Sequence, residues 1–147
     1  MRNCKLQIYL VGALTGLTHS EMTGWKDEVK TVLDKYSDMA NCNINVVTSV
    51  DYFSFKDNVK LSDEEIIKIN LSSIKDSDIV IVNTNGLTKD VTAMLETYEA
   101  WRLGIPVIAY DENGDYKSLH PWLACCITRV QSCIADIGEY VKELYMR

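Results

Sequence analysis

The sequence predicts an α/β fold built on a parallel sheet, and three observations carry that expectation. Short apolar runs of β-branched residues alternate with stretches whose apolar residues recur three and four apart. Asp78-Ile79-Val80-Ile81-Val82-Asn83 holds four consecutive β-branched residues, a pattern that suits a strand buried on both faces. Strand–helix alternation of this kind joins parallel strands through right-handed crossovers.

Residues 6–11 are an apolar run with β-branched and aromatic members, ended by Gly12, and read as a buried strand. Over residues 20–36, Met22, Trp25, Val29, Val32, Leu33 and Tyr36 fall mostly at helical spacing, which makes a helix. Residues 45–50 are a second β-branched run. Ser62-Asp63-Glu64-Glu65 has the Ser-x-x-Glu spacing of a capping box, and Ile66, Ile67, Ile69, Leu71 and Ile74 continue it as a second helix. The strand at 78–83 runs through a loop over 84–89 into a third helix over 91–103. Gly104 stands where a helix C-cap glycine belongs, and residues 105–110 are the next strand. A turn-rich stretch over 111–117 and a short strand near 128–131 precede a last helix over 132–145. Ligands of parallel sheets sit beyond the carboxyl ends of the strands. That rule gathers residues 12–16, 83–89 and 110 onward around one crevice, together with the start of the third helix.

The 147 residues match the usual size of one domain, roughly 100–150 residues, so residues 1–147 are read as a single domain. Apolar residues make up 47%, charged residues 24% and aromatics 9%, which excludes a disordered chain. Lys and Arg number 15 against 21 Asp and Glu, for a net charge of −6. That balance argues against a nucleic-acid partner, which needs a basic face. No apolar run approaches the roughly 18–20 residues of a membrane span. The basic start is soon followed by charge and turn residues, with no small-residue cleavage site, so a mature protein from Met1 is expected. The five cysteines follow no metal-ligand spacing. Reduced thiols filling a cytoplasmic core are favoured over a metal or redox site, and no metal or cofactor is expected.

No Walker loop, no G-x-G-x-x-G and no G-x-S-x-G occurs, so three common α/β assignments lose support. What remains is acidic. Asp90 and Glu96 lie six residues apart at the entrance of the third helix, beside the expected crevice. The positive end of a helix and its free N–H groups hold a carboxylate ionised there. An ionised carboxylate in a partly dry pocket is what attack on an anomeric carbon requires. By composition alone the solvated helix residue is the favoured reading of Glu96, as Glu99 illustrates with Arg102 three residues on.

The run Asp90-Val91-Thr92-Ala93-Met94-Leu95-Glu96-Thr97-Tyr98-Glu99-Ala100-Trp101-Arg102-Leu103-Gly104-Ile105-Pro106-Val107-Ile108 resembles the signature of the nucleoside 2-deoxyribosyltransferase family. There a Ser- or Asp-led loop runs into a helix carrying a nucleophilic Glu, and the helix ends at a Gly-Lys-Pro-Val-Ile-like strand entry. Ile8-Tyr9-Leu10-Val11-Gly12-Ala13-Leu14-Thr15-Gly16-Leu17 is similar to the family's first strand and Gly-rich turn, and residues 70–83 match in length and pattern. The resemblance covers nearly the whole chain. It implies a Rossmann/flavodoxin-like three-layer sandwich with a five-stranded, mostly parallel sheet. It further implies Glu96 as the catalytic nucleophile of a double displacement at the sugar. The resulting glycosyl-enzyme passes the sugar to a second base or to water. Tyr9 would orient Glu96, or be an aromatic core residue. Asp90 would contact base or sugar at the pocket rim, or cap the helix, two roles that do not exclude each other. Gly12 belongs to the substrate-binding turn. The implied partners are a nucleoside and a free nucleobase; an anionic Asp90, where phosphate-cleaving members tend to have Ser, favours unphosphorylated nucleosides.

The departures from the family pattern are specific. Asn70 stands where the family usually places an Asp that contacts the sugar and assists the leaving base. An amide hydrogen-bonds a hydroxyl but is no general acid. Thr92 and Ala93 replace a common Gly-Thr, and Ala13 stands where Pro is frequent. His120-Pro121-Trp122-Leu123 is similar to a turn that lends a polar residue to a neighbouring subunit's site, and His120 is read equally as that residue or as an exposed loop histidine. Trp122, Leu123, Ile127 and the Cys125-Cys126 pair form an apolar patch that predicts a homodimer or larger symmetric oligomer. Two rival readings stay open: a nucleoside- or nucleotide-binding module without turnover, and a hydrolase of NAD-type N-glycosides.

Overall fold

The computed structural model describes residues 4–14, 16–49 and 61–146. Its strands are β1 (Cys4–Val11), β2 (Cys42–Thr48), β3 (Ile79–Asn83), β4 (Val107–Tyr110) and β5 (Arg129–Gln131). The helices are α1 (His19–Ala40), α2 (Asp63–Lys75), α3 (Val91–Arg102), the short α4 (Pro121–Cys125) and α5 (Ile134–Tyr145). The sheet runs β2-β1-β3-β4-β5, and every neighbouring pair is parallel.

Alternation along the strands sorts the core into two layers. Ile8, Leu10, Ile79, Ile81 and Ile108 face α1 and α5 and pack on Trp25, Val29, Leu33, Ile137 and Val141. Tyr9, Val11, Val80, Val82 and Val107 face the other way and pack on Ile74 of α2 and on Ala93 and Ala100 of α3. The result is the expected three-layer α/β sandwich. No β-carbon fits at Gly138, where one would lie 2.3 Å from Val32 and 2.7 Å from Tyr36. Glycine there lets α5 approach α1 directly.

Most elements fall where the periodicity puts them; the differences lie at their ends and at α4, which occupies a stretch read from the sequence as a turn. Ser62 caps α2 through the capping box with Glu65, as the spacing indicates. Thr18 and Glu21 form a second capping box at the start of α1, which the apolar periodicity does not reveal. The strand expected at 45–50 begins three residues earlier, because Cys42 pairs in register with Cys4, and its residue 50 lies outside the described residues. That register also corrects the expectation of reduced thiols. Cys4 and Cys42 sit side by side on β1 and β2 with Cα atoms 4.6 Å apart, and they are joined as a disulfide, a separation within normal disulfide reach. Cys125, Cys126 and Cys133 remain thiols. Among the described residues no helix is long and apolar enough to cross a membrane.

Candidate active site

The chain passes from β1 outward to β2 and then back across to β3, so the loops leaving β1 and β3 diverge. A parallel sheet opens its ligand crevice at such a reversal. A cleft of about 600 Å³ lies there, lined by Gly12 and Leu14 after β1, Ser49 after β2, Asn70 of α2, and Asp90, Thr92 and Glu96 of α3. Its volume is within the range of small-molecule sites, roughly 300–1,000 Å³. Asp63, Ile66, Ile67 and Asn70 share one helical stripe of α2 that forms a wall of this cleft. The described residues of 12–16 and 83–89 divide between two clefts: Gly16, Thr84, Asn85 and Gly86 line a second one of about 300 Å³, and among the described residues only Lys89 borders both. Tyr110 packs in the α1/α5 layer instead.

Glu96 lies in the second turn of α3 and is 6% exposed. The Tyr9 hydroxyl, fully buried on β1, donates to its Oε2 at 2.7 Å. Among the described residues no other hydrogen bond reaches this carboxylate. Helix-terminus stabilisation was expected to hold it ionised, but burial wins. Desolvation pushes the Glu96 carboxyl up to about 7, against the Tyr9 hydrogen bond and the positive charge of Lys26, with Asp90 adding to the rise. Lys26 is a buried residue of α1 that sequence reasoning missed, since a lysine inside an amphipathic helix reads as solvated. Its neighbour Trp25 packs against Gly12, where an added β-carbon would come within 2.8 Å of the indole ring. Gly12 is therefore the residue that lets the indole lie under the β1 turn.

Asp90 is the N-cap of α3. Its Oδ1 accepts from the Ala93 N–H at 2.9 Å and its Oδ2 from the Leu14 N–H at 2.8 Å. One carboxylate thus ties the helix that carries Glu96 to the turn after β1, while still bordering the cleft. Asn70 is 5% exposed, and its buried Oδ1 has no hydrogen-bond partner among the described residues. A buried amide oxygen left in that state costs about 1–3 kcal/mol unless a ligand or water supplies a donor. His120 is not brought to this cleft. It caps α4, its Nδ1 accepting from the Trp122 N–H at 3.2 Å. The apolar patch near it also differs from expectation, because Leu123 and Cys126 are buried in their own chain. Trp122 stays exposed with Trp101, and on α3 Val91 and Leu95 are exposed as well.

The arrangement supplies a single desolvated carboxylate oriented by a phenol, which is what a nucleophile for an electron-poor carbon needs. Since its ionised form is the reactive one, activity resting on it should rise with pH through about 7. Tyr9→Phe removes the hydrogen bond that favours the ionised form. The rising limb of its pH–rate profile should therefore shift to higher pH, with rate at pH 6 reduced by roughly tenfold; an unshifted limb would reduce Tyr9 to core packing.

No protein-family model matches the chain, and no curated protein matches it in sequence. Solved structures do match. A conserved protein from Enterococcus faecalis V583 aligns with a TM-score of 0.71 at 17% identity, over 95% of this chain and 99% of that one. The 2-deoxyribosyltransferase of the psychrotolerant bacterium Bacillus psychrosaccharolyticus aligns at 0.69 and 17% identity, over 91% of each chain. The CMP N-glycosidase of Clostridium botulinum aligns at 0.53 and 14% identity, over 93% of this chain and 98% of that one. At these identities the likeness is one of architecture: the chain has a nucleoside deoxyribosyltransferase-like fold.

Proposed function

We propose that the cleft binds a nucleoside or deoxynucleoside and that Glu96 breaks its N-glycosidic bond by double displacement. The observation that carries this reading is the buried Glu96 carboxylate, hydrogen-bonded by Tyr9 in a cleft at the sheet's switch point. Glu96 attacks the anomeric carbon from one face as the base leaves from the other. Tyr9 keeps the carboxylate aimed, and the apolar side chains of Leu14, Ile66, Ile67 and Val91 line a surface suited to a flat base. A second base or a water then takes the sugar and restores the carboxylate, with net retention. The names of the two enzymes with similar folds support this chemistry.

The test is incubation with a panel of ribo- and deoxyribonucleosides plus a second free base, with products separated by chromatography. A new nucleoside indicates transfer, and free sugar indicates hydrolysis. Tight binding of nucleosides with no product from any of them would favour the rival reading, a binding module. The neutral amide of Asn70 in the cleft is the observation that supports that rival.

Assembly and location are part of the same proposal. Val91, Leu95, Trp101 and Trp122 are exposed on neighbouring elements α3 and α4, and covering them in a homodimer or larger symmetric oligomer suits their chemistry. Light scattering at micromolar concentration should give at least twice the mass of the 16.7 kDa chain; a clean monomer would count against assembly. A cytoplasmic location requires that alkylation before cell lysis trap Cys4 and Cys42 as thiols rather than as the bridge.

A further inference from the structure

We propose that the cleft selects N-glycosides whose base is positively charged at the nitrogen bonded to, or conjugated with, the sugar bond, as in N7-alkylated purine and pyridinium nucleosides. The inference rests on the reading of Glu96 as nucleophile and names the substrate class for it. Its starting point is Asn70, more than nine-tenths buried in the cleft wall with an amide oxygen that meets no partner among the described residues. Whichever way the amide is turned, it has no proton to give to a departing base. Its carbonyl dipole, when turned to the cleft, favours a donor or a positive charge.

The described acids around the cleft do not replace it. Both oxygens of Asp90 are engaged as acceptors of backbone N–H groups. The Tyr9 hydroxyl is engaged on Glu96, and Glu96 must itself be ionised to attack. Asp63 and Lys89 are exposed at the cleft's edge. Among the described residues the lining carboxylates Asp63, Asp90 and Glu96 stand against Lys89 at the edge and Lys26 near Glu96, an acidic excess that draws in cations.

A neutral base expelled without protonation leaves as an anion, which is a poor leaving group in a cleft of this charge. A cationic base has no such need. As the bond from Glu96 oxygen to the anomeric carbon forms, the carbon–nitrogen bond breaks and its electron pair passes into the ring, cancelling the positive charge. No proton moves in this step. Water then attacks the same carbon, Glu96 departs as a carboxylate, and the surplus proton of the water goes to solvent.

The experiment compares 7-methylguanosine with guanosine, and nicotinamide riboside with its uncharged dihydro form, in ribo and deoxyribo series. Base release is read by chromatography, and each rate is divided by the spontaneous rate for the same compound. In the wild type, kcat/KM should be at least 100-fold higher for each cationic member, and acceleration over the spontaneous rate should be no smaller for it. Asn70→Asp introduces a carboxyl into the cleft that Glu96 also lines, and of two carboxyls sharing one site one holds a proton. It should raise the rate on guanosine roughly tenfold or more and so narrow the preference. Equal kcat/KM for charged and neutral members, or smaller acceleration of the charged ones in the wild type, overturns the inference even if the variant does not fold. A preference of the same size in wild type and folded Asn70→Asp overturns it too, since bond lability alone would then explain it. Loss of the neutral and cationic reactions alike in wild type overturns the glycosidic reading as well, whereas equal cleavage of both leaves that reading standing.

Discussion

Glu96→Ala should abolish base release, with a fall on the order of 10⁴-fold or more, because removing a covalent nucleophile leaves only binding and the remaining polar groups. The carboxyl sits in the second turn of α3 and contributes one hydrogen bond, from Tyr9. Circular dichroism of the variant should therefore match wild type. A sugar analogue carrying fluorine at the 2-position slows the second step, and mass spectrometry of the wild type should then find the sugar attached to Glu96. Undiminished turnover in Glu96→Ala would remove this residue from the chemistry.

Glu96→Gln should be inactive and yet more stable than wild type at alkaline pH. Glutamine keeps the shape and still accepts from Tyr9. Burial raises the folded-state pKa of Glu96 from 4.5 to about 7. Below pH 4 the carboxyl is protonated in both folded and unfolded chains and costs nothing. Between about 4.5 and 7 the unfolded chain gives up its proton more readily, so it binds fewer protons than the folded chain and folding stability falls as pH rises. Above 7 the penalty is complete, about 3 kcal/mol at 1.4 kcal/mol per pKa unit. The glutamine variant escapes it. In a chain of this size that corresponds to a Tm higher by roughly 5–10 °C at pH 8, shrinking toward zero at pH 4. Equal Tm values across that range would mean that the carboxyl is better solvated than its position indicates.

The two layers of the sandwich are legible in the sequence because strands such as Ile79–Asn83 bury both faces and helices such as α1 bury one stripe. Ser62 and Asp90 announce the starts of α2 and α3, since capping is a local event between residues three apart. The features that escape are set by distant partners. Cys4 and Cys42 look solitary until the β1–β2 register makes them neighbours. The role proposed for Glu96 comes only through the resemblance, because nothing local separates it from Glu99, which pairs with Arg102 at the surface. Its elevated pKa was misjudged for the same reason: a helix dipole can be read from sequence, but burial under a sheet cannot. Ile66 and Ile67 fall on an apolar stripe of α2 whether that stripe meets a core or a ligand, so periodicity alone does not distinguish the two. Lys26 is buried against the trend of its residue type, and only the tertiary packing exposes it as a neighbour of the site.

The two hydrogen bonds that Asp90 accepts, from the Leu14 and Ala93 N–H groups, have a consequence for any attempt to alter what the cleft accepts. The turn after β1, which borders the cleft, and the helix that carries Glu96 are indexed to each other by one side chain. The two are tied, so the spacing between that turn and Glu96 is set before a ligand arrives. Remodelling the turn at residues 12–14 will therefore drag Glu96 with it, whereas changes on α2 widen or narrow the opposite wall and leave that alignment alone. Libraries aimed at new bases belong on Asp63, Ile66 and Ile67, the adjustable jaw of a vice whose other jaw is held square by a single carboxylate.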